Sequence, residues 1–241
     1  MTYNSAVNRA YEMTAEEDRL KNIDAMGEQV GSIYSLLWQE LAWLYLTWAE
    51  YVALFGTKES RVTLLNGAAP AFTRIVQDSL WEGIILHIAR LTDPPKSMGK
   101  SNLSVRALEE ALTDDVLKVR VGSSVKEALD ASDFCRDWRN RHLAHRDMHL
   151  ALRTGGEPLK PASRLKVREA LGALADVLNV LSRYYFNSTT FFDLDVRVGG
   201  GSGGAMSLLY YIDMGVEAER VREERLKSGN FDPNDYRPRD L

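Results

Sequence analysis

The residues from Arg136 to Arg146 carry the side chains of this chain that are best suited to chemistry. The stretch RDWRNRHLAHR contains four arginines and two of the four histidines in the whole sequence. A neutral imidazole accepts and returns a proton near physiological pH, because its ordinary pKa is about 6.5. A guanidinium keeps its charge and presents a planar fork of N–H donors that fits phosphate oxygens. Acid–base groups beside an anion clamp indicate chemistry on a phosphodiester.

The spacing inside this stretch is informative. Asn140 directly follows Arg139, and His145 comes after five intervening residues. This arrangement resembles the signature of the HEPN superfamily (higher eukaryotes and prokaryotes nucleotide-binding domain), in which an arginine precedes a histidine by four to six residues on a core helix. The fold that the resemblance implies is an all-α, HEPN-like helical bundle.

Three flanking segments are similar to the branch of HEPN proteins linked to bacterial abortive infection. They are WEGIILHIARLTD at 81–93, Asn102-Leu103-Ser104 at the start of a helix, and WRNRHLAHRD at 138–147. The similarity covers about residues 32–186, which is most of the helical part of the chain. It implies a toxin or phage-defence effector.

The resemblance implies a metal-independent endoribonuclease that needs no cofactor. His145 would transfer a proton, Arg139 would bind the scissile phosphate, and Asn140 would donate a hydrogen bond or position the arginine. Attack by the ribose 2′-OH would leave a 2′,3′-cyclic phosphate, so RNA would be cut and DNA would not. An acidic residue from another helix can orient the arginine in this family, which makes Asp93 a secondary candidate. Further candidates are Arg141 and His142 near the centre, with Arg136 and Arg146 as RNA contacts.

The distance in sequence between Arg139 and His145 raises a geometric problem. On a regular helix, residues six apart point about 120° away from each other. Either a local irregularity of the helix or a twofold dimer, in which Arg139 of one chain meets His145 of the other, would bring them together. HEPN nucleases are known for the second arrangement, so we expect a homodimer.

Each candidate also has a plainer interpretation. On a regular helix His142, His145 and His149 share one stripe, and three imidazoles could instead hold a transition metal. The arginines at 136, 141 and 146 could pair with Asp133, Asp137 and Asp147 along an exposed helix. His87, within an apolar run, is predicted to be structural. A non-catalytic helical dimer that binds a partner protein or nucleotide is the alternative function.

Composition limits the partners. The chain has 241 residues and a net charge of −4, so a broad basic surface for coating nucleic acid is not expected and RNA would meet a local patch. A single cysteine, Cys135, excludes an internal disulfide and fits a reducing cytoplasm. The amino terminus lacks the apolar run of a secretory signal. We therefore expect a cytoplasmic protein with no membrane partner, for which an antitoxin protein is plausible.

The hydrophobic pattern predicts helices along nearly the whole chain. A capping box at Thr14 and Glu17 opens the first one, and Gly27 and Gly31 bend or divide the run that reaches Phe55. The stretch from Leu36 to Phe55 is nearly apolar, and we expect a core or dimer-interface helix there rather than a membrane span. Further helices are predicted at 69–91, at 103–112 after a cap at Asn102 or Ser101, from about 123 into the Arg/His stretch, at 162–186 and at 205–227.

The tail differs from the body. The segment FFDLDVRV at 191–198 has the only strand-like alternation, and a glycine-rich run at 199–204 precedes the last helix. Such a run can cradle a phosphate, but the P-loop lysine is missing, so a flexible linker is favoured. The sequence thus predicts a helical domain at 1–190 and, at 191–241, a linker, a helix and a carboxy-terminal arm.

Overall fold

A computed structural model describes residues 14–145, 147–152, 154, 157–193 and 203–232. Helices dominate this part of the chain, which confirms the all-α fold class. The strands are a single antiparallel pair of two residues each within the described part of the chain. The elements are α1 (Ala15–Met26), α2 (Glu28–Phe55), α3 (Glu59–Ala68), α4 (Pro70–Leu91), β1 (Lys96–Ser97), β2 (Lys100–Ser101), α5 (Val105–Ala111), α6 (Asp115–Ala131), α7 (Asp133–Trp138), a π-helical turn (Arg139–Leu143), α8 (Met148–Leu152), α9 (Arg164–Phe186) and α10 (Gly204–Lys227).

The described residues group into two compact units. The first comprises those of Met1–Tyr45 and Glu82–Leu194, and the second those of Leu46–Trp81 and Asp195–Leu241. The division between the two units therefore falls inside α2 and α4. The sequence-based boundary between residues 190 and 191 stays a prediction.

The first unit has a core of leucine and isoleucine side chains from α2, α4, α5, α6 and α9. Helix α9 packs along α6, and its leucines recur three and four residues apart, so one stripe of the helix is buried. Ser163 caps α9 by accepting a hydrogen bond from the Lys166 N–H at 3.2 Å. The largest fully buried side chains are Leu37, Leu41, Leu44, Ile84, Ile85, Ile88, Leu108, Leu117, Leu171, Leu174, Leu178 and Leu181.

Two glycines have different roles where α1 meets α2. The predicted capping box at Thr14 and Glu17 is present, and α1 ends at Gly27, whose φ of 82° suits glycine. Gly31 lies within α2 and does not break it. A Cβ on Gly31 would come within 2.5 Å of the Asn22 carbonyl oxygen and 2.6 Å of the Ile23 Cα. The close approach of α1 and α2 therefore requires glycine at position 31.

Gly31→Ala is expected to destabilise the protein by about 1–3 kcal/mol, because the added methyl group meets backbone atoms that cannot rotate away. The matched control is Gly83→Ala on α4, where a Cβ meets no atom within 4 Å. That substitution should stabilise the protein by roughly 0.5–1 kcal/mol, since alanine loses less backbone entropy in a helix. Urea unfolding monitored by circular dichroism measures both changes. Equal effects at the two positions would contradict the close packing at Gly31.

The structure corrects three sequence-based boundaries. Ser104, rather than Asn102 or Ser101, caps α5 by accepting from the Ala107 N–H. Helix α6 begins at Asp115, where Asp114 caps it, and ends at Ala131, so no continuous helix runs from residue 123 into the Arg/His stretch. Phe191–Asp193 is irregular rather than a strand, and the rest of that predicted strand lies outside the described residues.

The end of the glycine-rich run forms the start of α10 in the second unit. Leu54, Leu65, Ala205 and Leu209 form its core, where α10 packs against α3. The Glu50 carboxylate accepts a hydrogen bond from the Ala205 N–H at the start of α10. A side-chain anion thus already occupies the position that a phosphate would take at this helix terminus. Residues 199–202 lie outside the described part of the chain.

Helix α2 contributes to the core along most of its length. Leu37, Leu41 and Leu44 are buried, whereas Leu36 and Trp43 on another face are 45% and 64% exposed. No described helix combines the length and the apolar character that crossing a bilayer requires.

Candidate active site

The candidate catalytic residues lie on a π-helical turn. The Ala144 N–H donates to the Arg139 carbonyl oxygen at 2.8 Å, a bond between residues five apart instead of four. The widened turn ends at Leu143, and His145 follows within a bend. Ala144 is therefore one turn after Arg139, and His145 is the next residue along the chain. A local irregularity of the helix is therefore present, although no hydrogen bond or ion pair joins Arg139 and His145 within the described residues.

Arg139 is held by two side chains. Its Nη1 donates to Oδ1 of Asp93 in an ion pair, and its Nε donates to Oδ1 of Asn140 at 3.0 Å. The Arg139 and Asp93 side chains are 23% and 20% exposed, so water screens the pair only partly. Among the described residues, no hydrogen bond uses the Nη2 group of Arg139. This arrangement fixes the guanidinium plane and leaves one edge able to donate to a phosphate.

The His145 side chain is exposed to solvent and is not part of the core. Within the described part of the chain, its imidazole makes no hydrogen bond or ion pair, including with Arg139. An imidazole in contact with water is available for proton transfer with a bound substrate.

The predicted stripe of three histidines is wrong, because the helix is not regular. His142 lies in the π-helical turn and makes a T-shaped contact with the Trp138 ring, with ring centroids 5.5 Å apart. His149 lies on α8, where its Nδ1 is 3.4 Å from Oγ1 of Thr154. The described residues contain no group of three or more histidine, cysteine, aspartate or glutamate side chains placed to hold a metal ion.

The remaining arginines of the stretch have contacts of other kinds. Arg141 donates to Asp137 at 3.2 Å and to the carbonyl oxygen of Glu157, which ties the turn to the segment before α9. Arg136 donates to the Thr92 carbonyl oxygen at 3.3 Å. Arg146 lies outside the described residues. Roles in RNA binding for Arg136 and Arg146 stay predictions.

Acidic neighbours offset much of the positive charge near the site. Asp93 pairs with Arg139, Asp137 pairs with Arg141, and Asp133 pairs with Lys160. The ion pair between Arg141 and Asp137 that the sequence suggests is therefore present. Asp133, in contrast, pairs with Lys160 and not with Arg136. The excess charge on which anion binding depends is smaller than the arginine count of the stretch indicates.

Asp93 also borders a cleft of about 390 Å³ in the first unit. Glu40 and Arg90 line the same cleft, and Oε2 of Glu40 lies 3.7 Å from Arg90 Nη2. His87 Nε2 lies 2.7 Å from Glu40 Oε2, without the alignment of a hydrogen bond. Burial lowers the pKa of His87, and Arg90 lowers it further, against the opposite effect of Glu40. A neutral His87 at physiological pH agrees with the predicted structural role.

Sequence reasoning missed two groups beside the site. Thr92 is fully buried; its hydroxyl donates to the Ile88 carbonyl oxygen at 3.1 Å, and its own carbonyl oxygen accepts from Arg136. Glu40 is distant in sequence from the Arg/His stretch, and no sequence motif links it to the candidate site. A helix-ending threonine directly before Asp93 was the available hint for the first group.

Most of the chain matches the model of a known protein family. The model described as HEPN AbiU2, a HEPN-type family associated with abortive infection, matches residues 27–196. The match spans more than half of the chain and includes both Asp93 and the π-helical turn. No curated protein and no solved structure matches the chain.

Proposed function

Because the chain belongs to the AbiU2 family of HEPN proteins, we propose that it is a metal-independent endoribonuclease that acts as a toxin or phage-defence effector. The observation that carries this proposal is the Asp93–Arg139–Asn140 arrangement, which holds a guanidinium with one unused edge on the turn that leads to an exposed His145. π-helical turns are rare and are frequent at functional sites.

The chemistry assigned to these residues is transesterification followed by release of the 5′-hydroxyl product. The ribose 2′-oxygen attacks phosphorus, the bond from phosphorus to the 5′-oxygen breaks, and a 2′,3′-cyclic phosphate forms. His145 either takes the proton from the 2′-OH or gives a proton to the departing 5′-oxygen. The Nη2 edge of Arg139 donates to the phosphate oxygens as negative charge accumulates on them. Asp93 and Asn140 are positioning residues.

A twofold homodimer is part of the proposal. One copy of His145 can perform only one of the two proton transfers at a time, whereas two copies facing each other supply an acid and a base. An isologous interface would place both Arg139 and both His145 side chains in one cleft. The Asp93–Arg139 ion pair reduces the repulsion between the two basic turns. A cytoplasmic location and control by an antitoxin protein complete the proposal.

The experiment that tests the chemistry uses purified protein treated with EDTA. Matched single-stranded RNA and DNA are incubated with it side by side, and the ends of the products are identified. We expect RNA to be cut with 2′,3′-cyclic phosphate and 5′-OH ends, and DNA to remain intact because it lacks the nucleophile. Cleavage of DNA, or complete loss of activity with the chelator, would overturn the mechanism.

A second candidate function is a non-catalytic helical dimer that binds a partner protein or nucleotide. The contacts of Arg141 and Arg136 with carbonyl oxygens of their own chain favour it, because those arginines stabilise the fold. In that case, substitutions in the turn would lower stability without any nuclease activity to lose.

A further inference from the structure

The cleft beside Asp93 has the size of a ligand site and shares a residue with the candidate active site. Its volume of about 390 Å³ falls in the range of small-molecule pockets. Glu40, Arg90, Asp93, Ser101, Asn102 and Leu103 line it. Asp93 lines this cleft and also accepts from Arg139 through Oδ1, so the cleft adjoins the candidate active site.

Three side chains that line this cleft, Glu40, Asp93 and Asn102, keep oxygen atoms that can accept hydrogen bonds. The Nδ2 of Asn102 is already used, since it donates to the Pro94 carbonyl oxygen at 2.7 Å and to Ser97 Oγ at 3.0 Å. Its Oδ1 is left to accept. Glu40 contacts His87 and Arg90 through Oε2, and Asp93 contacts Arg139 through Oδ1. Each carboxylate thus keeps a second oxygen with acceptor capacity.

The wall formed by the segment after α4 is ordered by its own contacts. The Asn102 N–H donates to the Pro95 carbonyl oxygen at 2.8 Å, and β1 pairs with β2 in the loop between them. A side chain held in this way loses little entropy when a ligand binds. Arg90 supplies the cationic group of the cleft, and its side chain is 58% exposed.

We propose that this cleft is a base-recognition subsite that selects guanine. Proteins read unstacked RNA bases through hydrogen bonds to the Watson–Crick edge. Guanine presents two adjacent N–H donors there, which one carboxylate can accept together. Uracil presents one N–H between two carbonyl oxygens, which face the carboxylates unfavourably. The inference that the subsite chooses the cleavage position rests on the proposed nuclease function, whereas base binding itself rests on the cleft.

Direct binding tests the subsite independently of catalysis. The full chain is titrated with the four nucleoside 3′-monophosphates by calorimetry. We expect guanosine monophosphate to bind about tenfold more tightly than uridine monophosphate, a factor typical of one paired base contact. Glu40→Gln exchanges one of the two carboxylate oxygens for an NH2 donor, so the side chain can no longer accept both guanine N–H groups together, and most of this preference should be lost. Leu103→Trp, at a side chain that is 37% exposed, should fill the cleft and weaken all four ligands.

The control is Glu82→Gln on α4, where the carboxylate is exposed and lies outside the residues that line the cleft. It should bind the four nucleotides like the unaltered protein. Thermal unfolding of every variant identifies any that fails to fold, and Leu103→Trp provides the test if Glu40→Gln does not fold. Equal binding of all four nucleotides, a guanine preference unchanged in a folded Glu40→Gln variant, or affinities unchanged in Leu103→Trp would overturn the subsite.

Cleavage of a random-sequence RNA pool separates this inference from the proposed function. Cleavage next to guanosine, lost in Glu40→Gln, supports both. Cleavage without any base preference leaves the nuclease standing and rejects the subsite. Guanine binding without RNA cleavage retains the binding site and rejects the nuclease.

Discussion

His145→Ala is expected to lower the rate of RNA cleavage by about 10²–10⁴-fold, the usual contribution of a general acid or base. The same substitution should change Tm by no more than about 2–4 °C, because the imidazole is exposed and makes no hydrogen bond within the described residues. Single-turnover cleavage assays and differential scanning calorimetry measure the two quantities. The substitution should therefore lower the cleavage rate greatly while it leaves the thermal stability nearly unchanged.

The matched control for His145 is His149→Ala. His149 is also exposed, and its contact with Thr154 at 3.4 Å is long. We expect nearly unchanged cleavage and an equally small change in Tm. Undiminished cleavage by His145→Ala would reject its catalytic role. A large loss of Tm, in a parent protein that has no nuclease activity, would favour the non-catalytic helical dimer.

Arg139→Ala is expected to reduce cleavage by about 10²–10³-fold, the scale for removing one donor that stabilises charge in a transition state. RNA binding should also weaken, and the slope of log K against log salt should fall by about 0.7, as for one lost phosphate contact with a single strand. Binding measured at several salt concentrations tests the slope. An unchanged slope would indicate that Arg139 makes its ion pair with Asp93 but does not contact the phosphate of RNA.

Two further variants distinguish charge from position at Arg139. Arg141→Ala should lower Tm because its contacts with Asp137 and the Glu157 carbonyl oxygen are lost, while the salt slope stays as it was. Asp93→Asn keeps the positive charge of Arg139 but weakens its restraint. We expect kcat to fall in Asp93→Asn without a decrease in the salt slope. If kcat and the salt slope both decreased in Asp93→Asn, a positioning role for Asp93 would be contradicted.

The sequence by itself determined the fold class, most helices and the identity of the candidate residues. Capping at Thr14 and Glu17, the leucine periodicity of α9 and the break at Gly27 are interactions between residues a few positions apart, so the local pattern contains them. The family resemblance also named Asp93 as a candidate partner for Arg139. Whether these residues cut RNA stays a prediction.

Only the tertiary structure decided how the candidates are arranged. Asp93 and Arg139 are 46 positions apart, and Glu50 and Ala205 are 155 apart, so each contact depends on which helix faces pack together. The sequence pattern likewise did not reveal the π-helical turn. The extra residue in that turn changes the direction of every side chain after it, so regular helical spacing does not give their positions. Local hydrogen bonding is encoded by neighbouring residues, whereas long-range pairs and helix irregularities follow from the packing of the whole unit.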